Sequence, residues 1–114
     1  MKFQVDRREW LRGEGNVQSQ LLRPSDNKKC CVGFYCLAEG FTEEQISAEP
    51  VYGGLHGRYY SNDPFSTIPG VPNHDMRFYS VYNLNDDPNL TDEQRESLLK
   101  REFQKLGAEV EFIN

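Results

Sequence analysis

Three cysteines and two histidines are the residues of this chain with most chemistry to offer, and their spacing limits what that chemistry is. Cys30, Cys31 and Cys36 contain no Cys-x-x-Cys pair, whereas a structural zinc site takes four ligands at recognisable, usually paired, short intervals. His56 and His74 are isolated in the sequence, so no metal or other cofactor is expected. An odd cysteine count agrees with a reducing compartment in which thiols stay free. A catalytic thiol is the sharper alternative. Cys31 stands near the start of an apolar run that reads as a helix, and a helix N-terminus lowers a thiol pKa. A nucleophile there needs a base; His74 is the best-placed candidate and His56 the second. The plainer fate of a cysteine in such a run is burial as a small apolar side chain, and that is the favoured reading of Cys31.

The segment Cys31-Val32-Gly33-Phe34 resembles the nucleophile motif of the NlpC/P60 group of papain-like hydrolases, an aspartate followed by Cys-Ser-Gly and Leu or Phe. The resemblance implies a cysteine hydrolase with Cys31 as nucleophile and His74 as base. It departs from the motif at Lys29-Cys30, where the aspartate would stand, and supplies no third, orienting residue. Other reaction classes have less support. Gly53-Gly54 lacks the Gly-Lys-Ser/Thr of a phosphate loop, and Gly13 and Gly15 do not join a strong strand to a long helix. Asp86-Asp87 precedes a proline and reads as turn and helix-entry chemistry. Asp63, Asp75 and Glu49 make no legible acid–base pair, and no calcium-loop spacing is present.

Residues 50–74 are a better place to look for recognition. Four prolines and four glycines punctuate this stretch, with Tyr52, Tyr59, Tyr60, Phe65 and Ile68 among them. Long irregular segments in small domains are often functional, and Tyr and Arg are favoured anchors at interfaces. Tyr52, Arg58, Tyr59, Tyr60 and Phe65 are therefore the candidate binding residues. Aromatics folded inward over a sheet are an equal alternative, and stacking of a nucleotide or other small molecule a weaker one.

The elements that hold these residues follow from pattern. Phe3 and Val5 alternate with polar neighbours as in a short strand. Asp6 and Glu9 have capping-box spacing, so Arg7–Arg12 reads as a short helix that anchors Trp10 and Leu11 and ends at Gly13. Leu21-Leu22 is an apolar island before the turn Pro24-Ser25-Asp26-Asn27. From Cys30 to Glu39 the stripes Cys30/Phe34/Leu37 and Cys31/Tyr35/Ala38 predict the central buried helix, and Thr42 with Gln45 opens a short helix that carries Ile46. The aromatic run 78–83 reads as a strand. Thr91 and Gln94 form a capping box for a helix over 92–106 with Leu99, Phe103 and Leu106 on one face, stopped by Gly107. The alternation of 108–113 closes the chain as a strand. Strand, helix and strand over 78–113 predict a parallel pair, and the whole an α+β domain of 114 residues with a short mixed sheet packed on helices.

Charge narrows the partners. Acidic residues outnumber basic ones 18 to 13, for a formal net charge of −5. The first thirty residues carry seven basic and four acidic side chains (+3), and the remainder six and fourteen (−8). Nucleic-acid binders are usually basic or carry a basic stripe, so nucleic acid is not expected. No apolar run reaches the roughly 18 residues of a membrane span, and the N-terminus lacks the apolar stretch of a signal peptide; a cytoplasmic protein is expected. Three blocks, Asp6–Gly13, Lys29–Phe34, and Asn85-Asp86-Asp87 through Glu93, Arg95 and Glu96 to Gly107–Ile113, together resemble small uncharacterised proteins of tailed bacteriophages and prophages. That resemblance implies an accessory protein acting in the bacterial host cytoplasm, most simply a non-enzymatic module that binds or inhibits a host or defence protein.

Overall fold

The computed structural model describes residues 1–14, 20–47, 72 and 76–114. In chain order its elements are strand β1 (Lys2–Asp6), a 3-10 turn (Arg7–Glu9), helices α1 (Cys31–Ala38) and α2 (Glu43–Ile46), and a second 3-10 turn (Met76–Phe78) that runs into α3 (Tyr79–Asp86). Helix α4 (Asp92–Lys105) and strand β2 (Glu109–Ile113) complete the α+β fold. The strands pair in parallel, Phe3 opposite Val110 and Val5 opposite Phe112. Each strand alternates exposed and buried residues, so one face of the sheet is apolar and the other carries Lys2, Gln4, Glu109 and Glu111. Helix α1 packs against β1, and α4 against β2. Among the described residues no helix is long and apolar enough to cross a membrane.

Local chemistry sets several boundaries. The Asp6 carboxylate accepts from the Arg8 amide at 3.0 Å and opens the first 3-10 turn, with Trp10 and Leu11 buried just beyond it. Thr42 with Gln45 and Thr91 with Gln94 make complete capping boxes. Gly107 leaves α4 at φ +83, a left-handed conformation. Two bidentate ion pairs then fasten the N-terminal segment along α4, Arg7 to Glu96 at 2.7 Å and Arg12 to Asp92 at 2.8 and 3.1 Å. Arg12 also lies over the Trp10 ring, 4.5 Å from its centroid. The basic start of the chain is thus spent partly on the acidic half of α4.

Three expectations change. The segment expected as a helix over Arg7–Arg12 is a 3-10 turn of three residues, Arg7–Glu9, and Trp10 just beyond it is already extended. The run 78–83 is not a strand: it is a 3-10 turn leading into α3, and the parallel pair joins β1 to β2 instead. Phe78, Val81, Tyr82 and Asn85 are all buried, a spacing of three, one and three that belongs to a helix face. The aromatic content favoured a strand, but burial on a single face decided for the helix. Pro88 then ends α3, because the residue before a proline is driven out of helical geometry; Asp87 has ψ 114. Helix α1 is also rotated from the expected stripes. Its buried residues are Cys31, Val32, Gly33 and Cys36, whereas Phe34 and Leu37 are only partly covered.

The rotation follows from a close approach. A Cβ built on Gly33 would lie 1.9 Å from the Leu21 carbonyl oxygen and 3.0 Å from its carbon, so only glycine lets α1 touch the 20–22 segment. Helix propensity alone makes Gly33→Ala stabilising by about 1 kcal/mol. Overpacking against backbone costs about 1–3 kcal/mol or more. We expect sterics to win: urea unfolding of Gly33→Ala gives a lower midpoint than wild type. A midpoint equal to or above wild type contradicts the packing.

Candidate functional site

Cys30 caps α1 and Cys31 is its first residue, the position from which a helix favours a thiolate. Burial reverses that preference. Both thiols and Cys36 are inaccessible to solvent, and all three are free. Desolvation pushes the Cys30 and Cys31 thiols well above their ordinary range, and Cys36 up to about 12. The neighbouring Cys30 thiol and Asp86 act in the same direction on Cys31. These are neutral packing groups, the opposite of an activated nucleophile. The suggested bases, His74 and His56, lie outside the described residues, as do Tyr52, Arg58, Tyr59, Tyr60 and Phe65. Among the described residues no cluster of His, Cys, Asp and Glu has the makings of a metal site.

Beside the thiols lies a polar centre that sequence reasoning missed. Asn85 is fully buried near the end of α3. Its side-chain oxygen accepts from the Trp10 indole N–H at 2.8 Å and from the Cys31 amide at 3.0 Å. Its amide nitrogen donates to the Leu11 carbonyl and to Asp86 Oδ1, each at 3.0 Å. Arg95 reaches in from α4 and caps the end of α3: its Nη1 donates to the carbonyls of Leu84, Asp87 and Asn85 at 2.6, 2.8 and 3.2 Å, and its Nη2 to Leu90 at 3.0 Å. A cation at the C-terminal end of a helix opposes the partial negative charge there. Gly13, at φ +68, donates its amide to the Asn85 carbonyl at 2.8 Å. The centre is buried and occupied with holding elements together. One signal for it was available: Asn85 continues the 78, 81, 82 spacing onto the buried face.

What the fold leaves open is main chain. Among the described residues the sheet has two strands, so each has an outer edge that no described strand covers. Glu109 donates its amide to the Met1 carbonyl at 2.7 Å, which turns Met1 toward β2. Alternation then directs the main-chain groups of Lys2 and Gln4 away from the sheet on one side, and those of Val110 and Phe112 away on the other. None of these outward groups has a main-chain partner among the described residues. Two shallow grooves border the sheet, each touching both strands. One is walled by β1, by Glu111 of β2 and by Phe34, Leu37 and Ala38 of α1; the other by Met1 and Lys2, by Lys100 and Gln104 of α4 and by the start of β2.

The thiol assignment has a measurable consequence. A group whose pKa is raised on folding contributes stability that is complete below its unfolded pKa and is lost as pH rises past it. For cysteine that unfolded value is about 8.5, so stability to urea should decline progressively above that pH as unfolded thiols ionise and folded ones do not. Cys31→Ala should flatten the decline, and iodoacetamide at neutral pH should modify Cys31 only on unfolding. Rapid labelling of native Cys31 would contradict the assignment. Comparison with protein-family models, with curated proteins and with solved structures gives no match to this chain.

Proposed function

We propose that this chain is a non-enzymatic protein-binding module, a phage- or prophage-encoded accessory protein that acts on a host or phage protein in the bacterial cytoplasm. The observation that carries the binding role is the pair of strand edges without a main-chain partner among the described residues, with shallow grooves bordering a sheet whose other face is packed. Unpaired edge groups are a ready template for an extended segment of another chain, with main-chain hydrogen bonds supplying affinity and alternate side chains specificity. The provenance rests on the resemblance of the Asp6–Gly13, Lys29–Phe34 and Asn85–Ile113 blocks to small phage proteins, and the buried free thiols are in keeping with a reducing cytoplasm. A hydrolase built on Cys31 has the thiol's burial against it.

The β2 edge suits a foreign partner. Its solvent face carries Glu109 and Glu111, a pair that favours a strand bearing Lys or Arg. The aromatic segment with Tyr52, Arg58, Tyr59, Tyr60 and Phe65 is the second arm of the same proposal. Affinity capture from a bacterial lysate separates the arms. We expect a specific partner that wild type retains and a Glu109→Lys/Glu111→Lys variant loses. Retention by that variant, with loss on replacing Tyr52, Arg58, Tyr59, Tyr60 and Phe65 by alanine, moves the site to the aromatic segment. No specific partner for wild type contradicts the proposal.

A further inference from the structure

We infer that the β1 edge is the dimer interface of this protein, and that its occupant is β1 of a second copy, paired antiparallel about a two-fold axis through Gln4. The inference rests on the strand-edge reading above and assigns one of the two edges; the β2 edge stays with the foreign partner.

Register and charge argue for it. Gln4 is the middle residue of β1, and its main-chain groups point outward with those of Lys2. With the axis through Gln4, the full length of β1 pairs with its copy. Gln4 then exchanges both main-chain hydrogen bonds with its counterpart, the closed arrangement of an antiparallel ladder. On the solvent face, Lys2 of each copy comes opposite Asp6 of the other, so the charges are complementary across both ends of the strand. Asp6 already accepts from Arg8 and from the Asn114 side chain, so Lys2 of the copy contributes electrostatic attraction at that end of the strand and not a new hydrogen bond. The β2 edge lacks this property. A two-fold axis through Val110 sets Glu109 against Glu111 of the copy, and one through Glu111 sets that residue against itself; like charges directly opposite are unfavourable.

The helix beside β1 fits the same axis. Phe34 and Leu37 line the groove that β1 shares with Glu111 and are, with Tyr35, the α1 side chains left partly covered by the rotation that Gly33 permits. An isologous contact presents the same patch from both copies, so the apolar wall of each groove meets its counterpart as β1 pairs. The product is a four-stranded sheet, β2-β1-β1-β2, with its interior face continuous.

Sedimentation velocity of the purified full chain, from low micromolar to several hundred micromolar, tests this without any foreign partner. A negative result here therefore leaves the lysate experiment standing, and loss of the lysate partner leaves this one standing. Wild type should dimerise with concentration. Gln4→Pro removes only an outward amide, so it should keep the far-ultraviolet circular dichroism of wild type while weakening the dimer at least roughly tenfold. Lys2→Glu should weaken it more at low salt than at high salt. Should the proline variant fail to fold, Gln4→Cys provides a second measurement. Opposed Cα atoms about 5.5 Å apart in an antiparallel pair are within disulfide reach, so oxidised glutathione should yield a covalent dimer through residue 4 and none from Glu111→Cys. A monomer at every concentration, a dimer indifferent to both Gln4→Pro and Lys2→Glu, or open-ended filaments would overturn the inference.

Discussion

The buried side chain of Asn85 is the interaction on which the arrangement of this fold turns. It lies 75 residues from Trp10 and 54 from Cys31 along the chain, and one amide group joins the N-terminal segment, the start of α1 and the end of α3. An amide in that position must be satisfied, because each buried polar group left without a partner costs about 1–3 kcal/mol. Satisfying it fixes where Trp10 enters the core and how the first turn of α1 is oriented. Arg95 extends the same centre into α4 by taking the carbonyls at the end of α3 and of the turn that follows. Burial works against the charge of this guanidinium, and the surrounding carbonyl oxygens offset that cost. The sheet inherits its placement from these contacts, since α1 lies on β1 and α4 on β2.

A division of labour results. Groups with intrinsic reactivity, the three thiols above all, are consumed by the interior, where desolvation keeps them neutral. Charged groups of the N-terminal segment clasp α4. The capacity for recognition that remains in the described residues is carried by backbone at the sheet edges. It is sorted by the few side chains beside it: Lys2, Gln4 and Asp6 on β1, Glu109 and Glu111 on β2.

Much of the fold was legible in the sequence because it is encoded over three or four residues. Both Thr/Gln capping boxes, the stop at Gly107 and the alternation of 108–113 are such signals, and they stand where the pattern placed them. The region 78–83 was misread because its aromatic and β-branched residues favour strands, while the competing helical spacing is completed only by Asn85, a residue that looks like part of a polar turn. The face of α1 was misjudged for a related reason. Gly33 leaves no apolar mark in a pattern, yet a side chain there would collide with the Leu21 carbonyl. Pairing of β1 with β2 joins segments more than a hundred residues apart, and no local pattern reports it. Of the candidate site residues, Cys31 was placed correctly in the interior, whereas the strand edges became visible only once the two-stranded sheet was known.

A double-mutant cycle on Asn85 and Trp10, followed by urea unfolding, probes the polar centre most directly. Asn85→Leu removes the amide while keeping its bulk and leaves the Trp10 indole, the Cys31 amide and the Leu11 carbonyl unpaired. The expected loss is about 3 kcal/mol or more, a large share of the roughly 5–15 kcal/mol that holds a domain together. Because the residues share a hydrogen bond, the effects of Asn85→Leu and Trp10→Phe should fall short of additivity by about 1 kcal/mol. A loss for Asn85→Leu below about 1 kcal/mol, or strict additivity of the two substitutions, would contradict the role assigned to this amide.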